Sequence, residues 1–197
     1  MALYVIGPHK GSRYPADKIV NTTSRSQNWS RELSPFFLGP ISLYGGFISK
    51  TMENAFQYSK TYIIHVDKDH NPTEYYWKWA KEGWNNPRAV RYPMGKGVKP
   101  LYSYWDGEKL TYIEARKTIY IPLYYKAVTV TRAFAILKEM YEDKTQDIYL
   151  WDFDGYNHKE LGMSYDDVVN TEDRKMGHAF VVAMALEGFD KYFQESK

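Results

Sequence analysis

The sequence predicts a helix-dominated α+β domain with a small β-hairpin or sheet region. Three observations predict it. Apolar residues recur at helical spacing in several separate stretches. Short apolar runs bounded by Gly or Pro mark strands near both ends of the chain and before residue 50. The 197 residues suit one domain, taken as 1–197, and show no repeat, low-complexity tract or long linker.

The elements follow in order. "ALYVIG" reads as a short strand stopped by Gly7 and Pro8. "PISLYGGFIS" reads as two short strands around Gly45 and Gly46, a hairpin signal. Thr51 stands where a helix N-cap belongs. In the helix that follows, Met52, Ala55, Phe56, Ser59 and Ile63 form one stripe, and Glu53, Gln57 and Lys60 a second, polar one. "NPTEYYWKWAKEGW" is a second helix, starting at Pro72 and Thr73. "NNPRAVRYPMGKGVKP" is loop-like. "TYIEARKTIYI" is helical by pattern up to Pro122, which should end or kink it. "VTRAFAILKEMYED" is an amphipathic helix, "DIYLWDFDGYN" a strand running into a turn at Asp154 and Gly155, and "MGHAFVVAMALEGFDKYF" a long C-terminal helix.

Composition excludes several function classes. The chain is 44% hydrophobic, enough for a real core. Its 19 Tyr and 6 Trp suit a wet pocket that stacks planar ligands, and equally an aromatic core. A net charge of +2 is too small to argue for nucleic-acid binding from bulk charge. Without cysteine there is no disulfide framework and no thiolate metal site. His9, His65, His70, His158 and His178 show no zinc-ligand spacing, so neither metal nor cofactor is expected. No apolar run approaches the ~20 residues of a membrane span. No basic region precedes the short N-terminal apolar run as a signal peptide requires. A soluble, cytoplasmic protein is expected.

Three constellations carry chemistry. Glu53, Gln57 and Lys60 lie one turn apart, and read either as a solvated helix face or as a pocket lining. "RYPMGKGVKPLYSYW" places Arg91, Lys96 and Lys99 among glycines and prolines and ends in Trp105. Glycine lets backbone amides approach an anion and the cations complete a phosphate cradle; the alternative is a flexible basic loop. In "LWDFDGYN" Asp154 ends a strand, where site residues are often placed. The alternative there is an Asp-Gly turn with Asp152 solvated.

Taken in order, these blocks resemble the NADAR superfamily, the YbiA-like N-glycosidases. Its first motif has the form F-S-N-F, P-x-x-[VIL], a Gly turn, then T-x-E-H-x-x-Q-x-x-K. "LSPFFLGPISLYGGFISKTMENAFQYSK" matches it at Ser34, Phe36, Pro40, Gly46, Thr51, Glu53, Gln57 and Lys60, with one residue of slack. "MGKGVKPLYSYW" matches the Gly-basic loop, "IYLWDFDGYN" the strand ending in an acid at Asp154, and "RKMGHAFVVAM" a glycine at Gly177 in the last helix. The blocks run from about residue 21 to 186. Asn54 stands where the family has His, and Pro35 where it has Asn.

The resemblance implies a YbiA-type fold and hydrolysis of a ribose–nitrogen bond. The substrate would be a phosphorylated riboflavin-pathway intermediate or an ADP-ribosylated nucleobase, free or in nucleic acid. Such bonds break through an oxocarbenium-like transition state that a nearby carboxylate stabilises. It implies Glu53 as the main catalytic carboxylate and Asp154 as partner acid or base. Trp105 would stack on the base, and Lys96 and Lys99 would hold phosphate. Gln57 and Lys60 would position ribose or phosphate, with Arg91 and Tyr156 at the rim. The alternative is a protein of the same fold that binds a nucleotide or a partner without turning it over.

Overall fold

The computed structural model describes residues 2–8 and 13–194, so His9 lies outside the described residues. In chain order the elements are β1 Leu3–Ile6, β2 Ile19–Asn21, β3 Ile41–Ser42, β4 Ile48–Ser49, α1 Met52–Gln57, β5 Lys60–Thr61, α2 Glu74–Asn85, β6 Tyr102–Trp105, β7 Glu108–Leu110, α3 Tyr112–Ala115, α4 Ile121–Val128, α5 Arg132–Asp143, β8 Ile148–Trp151, α6 Tyr165–Asn170 and α7 His178–Glu187. Together they form one α+β domain.

Three small sheets stand where one small β-hairpin or sheet region was expected. β8 lies between β1 and β2 and is parallel to both, with Val5 and Val20 each opposite Leu150. The buried residues of β8, Ile148 and Leu150, alternate with partly exposed ones, as a strand's two-residue period requires. Against this sheet lies α7, whose residues from His178 to Met184 are all buried. A helix apolar on every side belongs in the interior. β3 and β4 form the expected antiparallel hairpin, with Ile41 opposite Ser49. The third sheet, β5–β6–β7, is antiparallel throughout.

Pro122 does not end the third helical stretch. A π-helical turn at Arg116–Tyr120 joins α3 to α4, and the Ile121 N–H reaches back to the Arg116 carbonyl. The wider turn comes just where proline offers no N–H, so the chain continues helical from Tyr112 to Val128. α7 is shorter than its pattern suggests because Gly188 takes a left-handed C-cap with φ 73°. α1 stops at Gln57, so Ile63, expected on its buried stripe, is instead exposed. The abundant aromatics divide between two roles. Trp84, Tyr76 and Tyr124 are fully buried in the core, while a second group opens onto the cleft described next. Among the described residues no helix is long and apolar enough to cross a membrane.

Candidate active site

The cap expected at Thr51 is present, its Oγ1 accepting from the Asn54 N–H at 3.2 Å. The Met52 and Glu53 amides donate to the Leu38 and Pro35 carbonyls at 2.8 and 3.0 Å. The first turn is thus satisfied without the Glu53 side chain, which is only 7% exposed. Glu53 Oε1 accepts from Gln57 Nε2 at 2.9 Å, and Gln57 Oε1 accepts from Lys60 Nζ at 2.7 Å. Although Lys60 already belongs to β5, it completes the polar stripe, and its ammonium lies 4.9 Å from the Phe56 ring. The stripe is an ordered relay, and Glu53 Oε2 makes no hydrogen bond within the described protein and is not sealed from solvent. Burial pushes the Glu53 carboxyl above 4.5; the Gln57 bond and the charges of Lys60, Arg91 and His178 oppose this without restoring it. Burial lowers the Lys60 ammonium to about 8, against the pull of Glu53.

Asn54, next to Glu53, faces the other way and is fully buried. Its Nδ2 donates to the Asn86 and Arg88 carbonyls at 3.0 and 2.9 Å, and its Oδ1 accepts from the Val90 N–H at 2.8 Å. These bonds bolt the 86–90 loop to α1. The next residue, Arg91, then reaches Asp154, with Nη2 2.5 Å from Oδ2.

A buried ion pair stands behind them. Asp152 follows the end of β8, and its Oδ2 accepts from His178 Nδ1 at 2.9 Å and from the Ala179 N–H at 3.1 Å. His178 Nε2 is 2.8 Å from the Thr22 carbonyl oxygen. Both neighbours only accept, so both ring nitrogens donate and His178 is an imidazolium. Burial alone would lower the imidazolium, but the Asp152 charge and these bonds outweigh it and hold its pKa above 6.5. Burial likewise raises Asp152, but His178 and the backbone amides bring it below 3.8. Gly177 caps α7 here because a Cβ on it would stand 2.3 Å from Asp152 Oδ2. Asp152 is therefore not the solvated residue of an Asp-Gly turn.

These groups meet in one cleft of about 890 Å³, within the ordinary range for small-molecule sites. Six Lys and Arg side chains, the His178 imidazolium and four carboxylates line it, so it is net positive. Of the nine site residues expected from sequence, Glu53, Asp154, Gln57, Lys60, Arg91 and Lys99 line the cleft, and three do not. Trp105 packs edge-on against Tyr44 at 4.7 Å, turned by its strand register toward the Trp84 cluster, and cannot wall the cleft. Tyr156 lies over Phe180 at 4.7 Å. Gly155 is pressed against β1, where a Cβ would stand 2.3 Å from the Ile6 carbonyl oxygen, and the chain beyond it turns toward α7. Lys96 is exposed between Gly95 and Gly97, at φ 99° and 89°; those glycines line the cleft and Lys96 does not. The rings that do face the cleft include Phe36, Phe56, Tyr92, Tyr120 and Phe153. His178, Asp152 and Asn54 were missed by sequence reasoning. The one signal was the glycine before His178, since a residue without a side chain at a helix start leaves room for another group.

A family model described as "Family of unknown function (DUF6939)" matches residues 9–161. The chain belongs to DUF6939. The DUF6939 match takes in α1 with its polar relay, the Arg91 loop and both aspartates, and stops before α7. Thus one half of the His178–Asp152 pair comes from outside the matched stretch. No curated protein and no solved structure matches the chain. Among the described residues no group of three or more acidic or histidine side chains is arranged to hold a metal ion.

Proposed function

We propose that this DUF6939 chain is an N-glycosidase on a NADAR-like, YbiA-type fold, acting on a phosphorylated ribosyl or ADP-ribosyl compound. One observation carries the reading: Glu53 is held in a net-positive cleft by Gln57, with its second oxygen open. In the reaction the bond between ribose C1 and the base nitrogen breaks, and the electron pair leaves with the nitrogen, which takes up a proton. Water adds to C1 and gives up a proton. An ionised Glu53 stabilises the positive charge growing on the ribose and receives the proton of the attacking water. Its raised pKa suits proton exchange closer to neutrality than an ordinary carboxyl allows.

Asp154, oriented by Arg91, is the second carboxylate. Gln57 and Lys60 position the ribose. Cleft rings such as Phe56 and Tyr120 take the stacking role first assigned to Trp105. The cationic surplus, including Lys99, favours a phosphorylated substrate. The test is incubation with a panel of ribose-phosphate N-glycosides and ADP-ribosylated bases, with products read by mass spectrometry. Release of free base is expected, together with ribose phosphate from the ribose-phosphate glycosides or ADP-ribose from the ADP-ribosylated bases. A ligand recovered bound and intact across the panel overturns the reading in favour of a binding protein.

A further inference from the structure

One wall of the cleft alternates cations and rings. The Arg25 guanidinium lies 5.0 Å from the centre of the Phe153 ring, and Arg91 lies 5.9 Å from that same ring. Arg91 is also 5.4 Å from the Tyr92 ring, and the Lys175 ammonium is 6.0 Å from it. The strip thus runs Arg25, Phe153, Arg91, Tyr92, Lys175, and all five residues line the cleft. It draws on four distant parts of the chain: the segment after β2, the loop bolted down by Asn54, the turn after β8, and the approach to α7.

The charges along it differ. Asp154 neutralises the central Arg91. The outer two, Arg25 and Lys175, form no ion pair among the described residues. Glu172 also lines the cleft, forms no ion pair among the described residues, and lies on no rung of the strip. Two unpaired cations, each next to a ring, on either side of a neutralised one in this order of contacts, offer a ligand two anion contacts. The rings beside the cations leave apolar faces for the part of a ligand that joins two anions.

We propose that this strip is a substrate subsite for two phosphoryl groups, one at Arg25 and one at Lys175, with the nucleoside or sugar between them over Phe153 and Tyr92. It rests on the glycosidase reading only in holding that the phosphates belong to a substrate. The cleft then selects nucleosides or sugars phosphorylated at both ends over simple monophosphates.

Calorimetry with adenosine 5′-monophosphate, adenosine 5′-diphosphate and adenosine 3′,5′-bisphosphate tests this without any turnover. Adenosine 3′,5′-bisphosphate is expected to bind about tenfold more tightly than the monophosphate, and more tightly than the diphosphate, whose phosphates lie together at one end, as a second charge-assisted contact implies. Arg25→Ala and Lys175→Ala, both at exposed positions, should each bring that ratio close to one. Lys138→Ala removes the same charge from exposed α5, outside the cleft, and should leave the ratio unchanged. Equal affinity for all three probes, no measurable binding of any, or a ratio that survives both cleft substitutions overturns the proposal. Loss of the ratio while Glu53-dependent hydrolysis persists removes the strip alone. A ratio that holds in a protein that hydrolyses no N-glycoside removes the glycosidase reading alone.

Discussion

Glu53→Gln separates charge from shape at the centre of the cleft. A glutamine can still accept the 2.9 Å bond from Gln57 through its Oε1, so the relay to Lys60 keeps its geometry. What changes is the open atom, where an amide replaces the oxygen that faces the cleft. It can neither take a proton from water nor offset positive charge on a ribose. Removing a preorganised electrostatic group of this kind typically lowers turnover on the order of a hundredfold or more. The loss should fall on kcat with KM little changed, since the ground-state substrate gains little from the charge. Stability should move the other way. The folded pKa of Glu53 lies above its unfolded value of 4.5, so its ionisation at neutral pH disfavours the fold. A neutral isostere removes that penalty, and the melting temperature should hold or rise. The assay is turnover of whichever panel compound the parent cleaves, with thermal melting of both proteins alongside. Near-normal turnover in the variant refutes the reasoning, and a large fall in melting temperature shows that the carboxylate serves the fold.

Lys60 titrates at about 8, so turnover that depends on its ammonium should decline above that pH. Lys60→Arg, which stays charged, should move the alkaline limb of the pH profile upward, and a limb that stays in place assigns it to another group. Asp152→Asn leaves the His178 imidazolium buried beside a neutral partner and should cost about 3–5 kcal/mol in chemical denaturation. The pH dependence of stability follows from the two signs. The His178 contribution is complete below 6.5 and is lost as pH rises through its elevated folded value; that of Asp152 is complete above 3.8 and is lost as pH falls through its depressed one. The parent should therefore be most stable between 3.8 and 6.5 as far as this pair decides, and the variant should lose that feature. Asn54→Ala removes three buried bonds and should cost on the order of 3 kcal/mol. It also frees the Arg91 loop, so kcat/KM should fall further than in Lys99→Ala, which alters only an exposed cation.

Local signals made much of the fold legible. Thr51, the Gly45–Gly46 hairpin, the amphipathic α5 and the Asp154–Gly155 turn each depend on neighbours in sequence. β2 and the pairing of β5 with β6 do not; the β6–β7 hairpin does, and its Asp106-Gly107 turn was a local signal that sequence reasoning passed over. Ile19–Asn21 is a strand because residues 149–151 lie beside it, some 130 positions later, and three residues carry no period to read. The same holds within the site. Glu53, Gln57 and Lys60 share local spacing and could be found together. Asp152 and His178 are joined only when α7 starts over the end of β8, and no spacing foretells that. Trp105 shows the opposite failure. Its residue type and loop context suggest stacking on a ligand, but strand register turned it to Tyr44.

The position of the cleft follows from the same long-range contacts. β8 lies between β1 and β2, and all three strands point the same way. Their carboxyl ends emerge on one side of the sheet. β2 delivers Thr22 and the Arg25 segment there, and β8 delivers Asp152, Phe153 and Asp154. Ligands commonly bind outside the carboxyl ends of parallel strands, where connections leaving neighbouring strands part and open a crevice. Here α7 begins in that crevice, and its first amides would meet an anion there in any case. Asp152 already supplies that anion, and His178 balances it. The helix terminus is thus spent on holding the wall together, which leaves Glu53, on α1, as a buried carboxylate with an oxygen open to a substrate.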